Sequence, residues 1–227
     1  MDCLKKCKVF LAGDSTMSEY SESVAPRTGW GQVLGKYLPP SIQVINKATS
    51  GRSSKSFIDE GRLEEISTDI EQGDYLLIQF GHNDQKEDEL RRTLPFSTYQ
   101  SYLLEYLEVA FRKGATPILI TPVQRRSFDD QGEFYDTHGE YPQAMRELAS
   151  EKNVVLVDLS TLSKDLFTLL GSEKTKSLFL WLSPKEHPNY PDGVDDNTHF
   201  SSYGAKKVAE LVAPALQSII GIGKMKE

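Results

Sequence analysis

Five short apolar runs alternate along the chain with helical stripes, and that alternation constrains the fold more than any other feature. The runs are Lys8–Gly13, Ile42–Asn46, Tyr75–Phe80, Pro117–Thr121 and Val154–Leu159. The third, YLLIQF, is nearly all apolar and is bounded by Gly73 and Gly81, as expected of a strand covered on both faces. Helical spacing fills the intervals. It spans Trp30–Leu38 before Pro39-Pro40, then Ser53–Ile70, with apolar positions at Phe57, Ile58, Leu63, Ile66 and Ile70. It returns over Tyr99–Arg112, stopped by Lys113-Gly114, and over Tyr141–Lys152. Two more helices are expected around Leu162–Leu170 and across Ser202–Ile220. Strands that alternate with helices are joined by right-handed crossovers into a parallel sheet with helices on both faces. The 227 residues suffice for one α/β core. No linker, repeat or low-complexity stretch divides them, so residues 1–227 read as a single domain.

In such sheets ligands gather beyond the carboxyl ends of the strands, so the residues just after each run carry the most information. The first run leads into Gly13-Asp14-Ser15-Thr16, the second into Lys47-Ala48-Thr49-Ser50-Gly51-Arg52-Ser53. Gly81-His82-Asn83-Asp84 comes after the third and Pro122-Val123-Gln124-Arg125-Arg126 after the fourth. Taken singly, each motif has an ordinary use. Asp and Ser after a strand cap helices, Gly51 suits a turn, Asn83 can hold a loop together, and His82 can bond to loop backbone. Each also has a chemical use. A serine where a strand meets a helix presents its own N–H and the helix N-terminus to developing negative charge. Gly51 offers a backbone N–H with no Cβ in the way. Asn83 donates from an uncharged amide, and His82 can reach a substrate.

Near the other end, GVDDNTHFSSYG places Asp196 three positions before His199. Alone it reads as a capped turn with an exposed imidazole. Beside Ser15 it has more meaning. A serine hydroxyl needs a base near pH 7, and that base needs a carboxylate on its other ring nitrogen to fix its tautomer. Three residues in a tight turn can bring Asp196 and His199 to one side as a preassembled pair.

Several function classes are excluded early. A formal charge of −7 repels nucleic acid and anionic membranes, and no apolar stretch approaches the length of a membrane span. The opening MDCLKKCKVFLAG carries only a short apolar run that continues into the first strand. No signal peptide is read there, and a cytoplasmic address is expected. Cys3 and Cys7 have no partner cysteines and read as two reduced thiols, not a metal site.

Gly13-Asp14-Ser15, Gly51, Gly81-His82-Asn83-Asp84 and Asp196-xx-His199 occur in this order across nearly the whole chain. Together they resemble the SGNH/GDSL hydrolases. The wording AGDSTMS, TSGRSSKSF, QFGHNDQK and PNYPDGVDDNTHFSSYGA is similar to the rhamnogalacturonan acetylesterases, the pectin-deacetylating branch. The resemblance implies a flavodoxin-like three-layer αβα sandwich around a five-stranded parallel sheet, with no metal or cofactor. It implies Ser15 as nucleophile, His199 as base and Asp196 as its orienter. The oxyanion hole it implies comprises the N–H groups of Ser15 and Gly51 and the Asn83 amide. The implied partner is an acetylated oligosaccharide. If that substrate carries uronate groups, cations must offset the chain's negative field, and Arg125, Arg126 and Arg52 are the candidates beside His82. Two other readings are weaker. A lipid or thioester esterase would need a broad apolar acyl pocket, whereas these loops are polar. A flavodoxin-like phosphate or flavin binder would use the GDSTMS loop and leave Asp196, His199 and Asn83 unexplained.

Overall fold

The computed structural model describes residues 7–221. Strands β1 (Cys7–Gly13), β2 (Ile42–Asn46), β3 (Tyr75–Gln79), β4 (Thr116–Ile120) and β5 (Val155–Val157) form one parallel sheet in the order β2-β1-β3-β4-β5. Because side chains alternate along a strand, β1 feeds two cores. Val9 and Leu11 enter one with Leu77 and Ile118, and Phe10 and Ala12 enter the other with Leu76 and Ile78. The first core is closed by helices α1 (Trp30–Leu34), α6 (Leu159–Thr175) and α7 (Ser202–Ile219). The second is closed by α2 (Ser54–Asp59), α3 (Arg62–Asp69), α4 (Gln100–Arg112) and α5 (Tyr141–Glu151). This is the expected three-layer αβα sandwich with its five-stranded parallel sheet.

The strand order has a functional consequence. The chain leaves β1 toward the layer of α1 and leaves the adjacent β3 toward the layer of α4. Connections that part in opposite directions open a crevice at the carboxyl ends of these two strands. Ser15 comes after one of them and His82-Asn83 after the other.

Three expectations are corrected. The stripe over Ser53–Ile70 is two helices: Ser53 and Ser56 form a capping box that starts α2, and Gly61, with φ +76°, breaks the run before α3. The Trp30–Leu38 helix ends as α-helix at Leu34 and tightens into a 3₁₀ turn over Gly35–Tyr37. The third correction bears on the site. Asp196 and His199 do not lie in a tight turn but on β7 (Val194–Phe200), which pairs antiparallel with β6 (Phe179–Leu182). Neither strand was expected. Phe179 pairs with Phe200 and the next residue, Leu180, with Asp196, so residues 197–199 bulge out of the ladder. A bulge of this kind bends a strand and re-aims its side chains. It lets residues three apart, which a regular strand would send to opposite faces, meet on one side. Directly after it Gly204 lies in the first turn of α7, where an added Cβ would sit 1.7 Å from the Leu178 carbonyl oxygen. Only glycine allows α7 to seat against the chain entering β6, the strand paired with the one that carries His199.

The Cys3–Cys7 spacing falls partly outside the described residues. Cys7 Sγ lies near the Lys8 and Gly73 carbonyls.

Candidate active site

Beyond β1 the chain folds into a turn held by one carboxylate. Asp14, fully buried, accepts from Thr16 N–H at 2.9 Å and Thr16 Oγ1 at 2.8 Å. Its backbone oxygen accepts from the N–H groups of Met17 and Ser18. Thr16 Oγ1 also accepts from Gln79 Nε2, and Gln79 Oε1 accepts from Trp30 Nε1 at 2.9 Å. The loop is thereby tied to β3 and α1 through groups that are all buried. Contrary to expectation, no helix begins at Ser15. Asp14 caps a single turn, with Met17 N–H and Ser18 N–H on its backbone oxygen, that does not continue into a helix, and α1 begins only at Trp30. Any stabilisation of an oxyanion here therefore comes from individual N–H groups and not from a helix dipole.

Ser15 Oγ lies 2.9 Å from His199 Nε2, and His199 Nδ1 lies 2.7 Å from Asp196 Oδ2. The other Asp196 oxygen accepts from the backbone N–H groups of Thr198 and His199 at 2.7 and 2.9 Å, so one carboxylate both shapes the bulge and holds the ring. Burial pushes the Asp196 carboxyl up, but its bond to His199, the imidazole's charge and the two backbone donors outweigh it and hold the group at about 2. It is ionised throughout the neutral range.

A cavity of about 270 Å³ beside this relay is lined by Ser15, Gly51, His82, Asn83, Arg125 and His199, all expected, together with Arg27, Ser50, Lys86, Arg91 and Thr198. Neither Ser15 N–H nor Gly51 N–H has an acceptor among the described residues. Asn83 Nδ2 donates one hydrogen to the Arg52 carbonyl at 3.0 Å, leaving the other free. Gly51 has φ +83°, and a Cβ there would meet nothing within 4 Å. Its backbone conformation favours glycine, and the space beside it is open. His82 is 3% exposed, with Nδ1 on Asp14 Oδ2 at 3.0 Å. Burial holds its pKa below the ordinary imidazole value despite the Asp14 charge. Asp14 stays below the usual carboxylate value because His82 and Thr16 outweigh its burial. The pair is therefore a neutral imidazole donating to a buried anion.

The arginines divide. Arg125 lines the cavity, but its guanidinium donates to the His82 carbonyl at 3.2 Å and to Thr137 Oγ1 at 3.0 Å. Arg52 and Arg126 do not line it. Arg52 is turned to Glu60, at 2.9 and 3.0 Å, and to the Ser50 carbonyl. Arg126 stacks on Trp181, 5.0 Å from its ring centre, and donates to the Ser172 carbonyl and to Asn197 Oδ1. Asn197 lies inside the bulge, and Trp181 Nε1 donates to the same oxygen at 2.9 Å. Arg126 thus supports the segment carrying Asp196 and His199 and does not line the cavity at Ser15.

Residues 9–212 match the model of the GDSL-like lipase/acylhydrolase family. The chain belongs to this family. It is accordingly a carboxylic ester hydrolase. It is 51% identical, over 95% of its length and 91% of the relative's, to the rhamnogalacturonan acetylesterase RhgT of Bacillus subtilis. It is 26% identical to the rhamnogalacturonan acetylesterase of Emericella nidulans, over 92% of this chain and 84% of that one. Among solved structures, the YxiM protein of Bacillus subtilis superimposes with a TM-score of 0.77 at 29% identity, covering 96% of this chain and 57% of that one. The acetylxylan esterase Axe2 of Geobacillus stearothermophilus shares the fold, with a TM-score of 0.62 at 18% identity and 97% of both chains covered.

Sequence reasoning missed Arg27, Lys86 and Arg91 at the cavity, and Tyr20, whose hydroxyl donates to the Ser15 carbonyl at 2.7 Å. Arg27 and Tyr20 fall in an irregular segment with no periodicity to read, and only the fold brings them to Ser15.

Proposed function

We propose that the chain is a carbohydrate O-acetylesterase acting on rhamnogalacturonan oligosaccharides through an acyl-enzyme at Ser15. The observation that carries this reading is the relay from Asp196 through His199 to Ser15 Oγ, at 2.7 and 2.9 Å, beside a cavity with three free N–H donors. Ser15 Oγ attacks the acetyl carbonyl while His199 Nε2 takes its proton. The tetrahedral alkoxide is held by Ser15 N–H, Gly51 N–H and Asn83 Nδ2. Its collapse breaks the bond to the sugar oxygen, which leaves with the proton from His199. Water then adds to the acetyl group with His199 again as base, acetate departs, and Ser15 recovers its proton. Asp196, ionised and bonded to Nδ1, keeps Nε2 unprotonated for the first step and stabilises the imidazolium that forms.

Two facts support an acetylated sugar as substrate. The relatives from Bacillus subtilis and Emericella nidulans are named rhamnogalacturonan acetylesterases. No aliphatic or aromatic residue lines the cavity, which suits a two-carbon acyl group among sugar hydroxyls better than a fatty chain. Acetate release from acetylated rhamnogalacturonan, acetylated xylan and p-nitrophenyl esters of increasing acyl length tests the reading. The pectic substrate should give the highest kcat/KM, and activity should fall beyond acetyl. A preference for octanoyl over acetyl, or for xylan over rhamnogalacturonan, would reject it.

A further inference from the structure

The chain carries a net charge of −7, yet the cavity at Ser15 is lined by four cations, Arg27, Lys86, Arg91 and Arg125, and by no carboxylate. The four are not equivalent. Arg91 is already neutralised: its Nη2 and Nε grip Asp88 at 2.6 to 3.1 Å. Arg125 is spent on the His82 carbonyl and Thr137. The other two keep capacity. Among the described residues Arg27 has no ion pair, and Nη2 is its only bonded side-chain nitrogen, donating to Tyr20 Oη at 2.9 Å and reaching Ser50 Oγ at 3.5 Å. Its Nε is buried without a partner. The guanidinium stacks on the Tyr20 ring, 4.4 Å from its centre, so the fork is fixed in orientation while Nη1 stays free. The Lys86 ammonium has neither an ion pair nor a hydrogen bond among the described residues. Its backbone N–H bonds to the Asn83 carbonyl at 3.1 Å, which fixes the root of the side chain beside the oxyanion donor. The ester that enters the site is neutral, so these unpaired cations have no counter-charge on the reacting group before the alkoxide forms. They suit an anion on the rest of the substrate.

We propose that Arg27 and Lys86 form a carboxylate subsite that takes a uronate residue next to the acetylated sugar. This rests on the acetylesterase reading only for the identity of the neighbouring sugar. The stacked guanidinium holds Arg27 Nη1 in a fixed direction to donate to a carboxylate oxygen, and Lys86 adds a mobile point charge. The net field of the protein repels the ligand at long range, and the two cations reverse that field locally.

The test uses p-nitrophenyl acetate as reporter and two inhibitors of equal length, a galacturonate trisaccharide and its carboxyl-reduced, uncharged counterpart. The acid should compete with a Ki about 10-fold or more below that of the reduced sugar, the size expected of one or two charge-assisted contacts. Arg27→Gln and Lys86→Gln should each erode this ratio, the pair of changes should abolish it, and Lys86→Arg should restore most of it. Moderate salt should compress the ratio in the wild type. Equal Ki values in the wild type, or variants that weaken both inhibitors alike, would overturn the subsite. Lys86 is exposed, so its variants answer even if Arg27→Gln unfolds. Preference for the acid without deacetylation of rhamnogalacturonan would leave the subsite standing and defeat the substrate reading instead.

Discussion

Asp84 is a fully buried carboxyl with an uneven environment, and it predicts how stability should change with pH. Oδ1 accepts from Ser54 N–H at 3.0 Å, from the Ser54 hydroxyl and from Thr93 Oγ1 at 3.3 Å. Oδ2 has no partner. Burial of the charge raises the pKa from 3.8 to about 7, only partly countered by the Ser54 and Thr93 donors. The folded state therefore binds this proton more tightly than the unfolded chain does. The stability Asp84 contributes is complete below about pH 3.8 and is lost as pH rises through about 7. At about 1.36 kcal/mol per pH unit the whole loss is on the order of 4 kcal/mol. Asp84→Asn mimics the protonated form: its carbonyl can accept the same three hydrogens, and its NH₂ takes the orphaned position without a charge. The measurement is urea unfolding of wild type and variant at pH 4.5 and pH 8.5. Other groups titrate alike in both proteins and cancel in the double difference. The variant should gain roughly 3 kcal/mol on the wild type between these pH values, a shift of about 1–2 M in urea midpoint for m-values of about 2–3 kcal/mol/M. A difference between the two proteins that is the same at both pH values would show that Asp84 is ionised in both states and refute the argument.

The remaining predictions concern catalysis. Ser15→Ala and His199→Ala should each lower kcat by about 10³-fold or more, and the double variant should be little worse, because nucleophile and base act as a unit. Asp196→Ala should cost less, since the oxyanion donors survive; near wild-type turnover of an activated ester by folded Ser15→Ala would remove the nucleophile. Asn83→Ala should lower kcat by roughly 10²–10³-fold with KM little changed, and a change confined to KM would make Asn83 a ground-state binding residue.

How much of this protein was legible in its sequence depends on which interactions are local. Five strands in alternation with helices were legible because a strand covered on both faces is continuously apolar, as in Leu76, Leu77 and Ile78. That Ser15, Gly51, Asn83 and His199 meet at one cavity was legible from four sequence blocks taken together, since each residue alone had an ordinary use. The β6–β7 hairpin was hidden because VDDNTHF does not alternate, and its partner FLWL lies across a long polar loop. That hairpin changes how Asp196 and His199 are understood. Their spacing works not through a turn but through a bulge, whose shape depends on Asp196 accepting two backbone N–H groups and on Arg126 and Trp181 holding Asn197. The arginines show the same limit from the other side. Position after β4 put Arg125 and Arg126 at the correct edge, but whether a guanidinium is free depends on what reaches it in three dimensions. Thr137 and the His82 carbonyl occupy Arg125, and Ser172 and Asn197 occupy Arg126. Arg27, in an irregular loop, keeps Nη1 open beside Ser15. Sequence position narrows where a charge can be; only the partners it has already taken decide whether it can bind anything else.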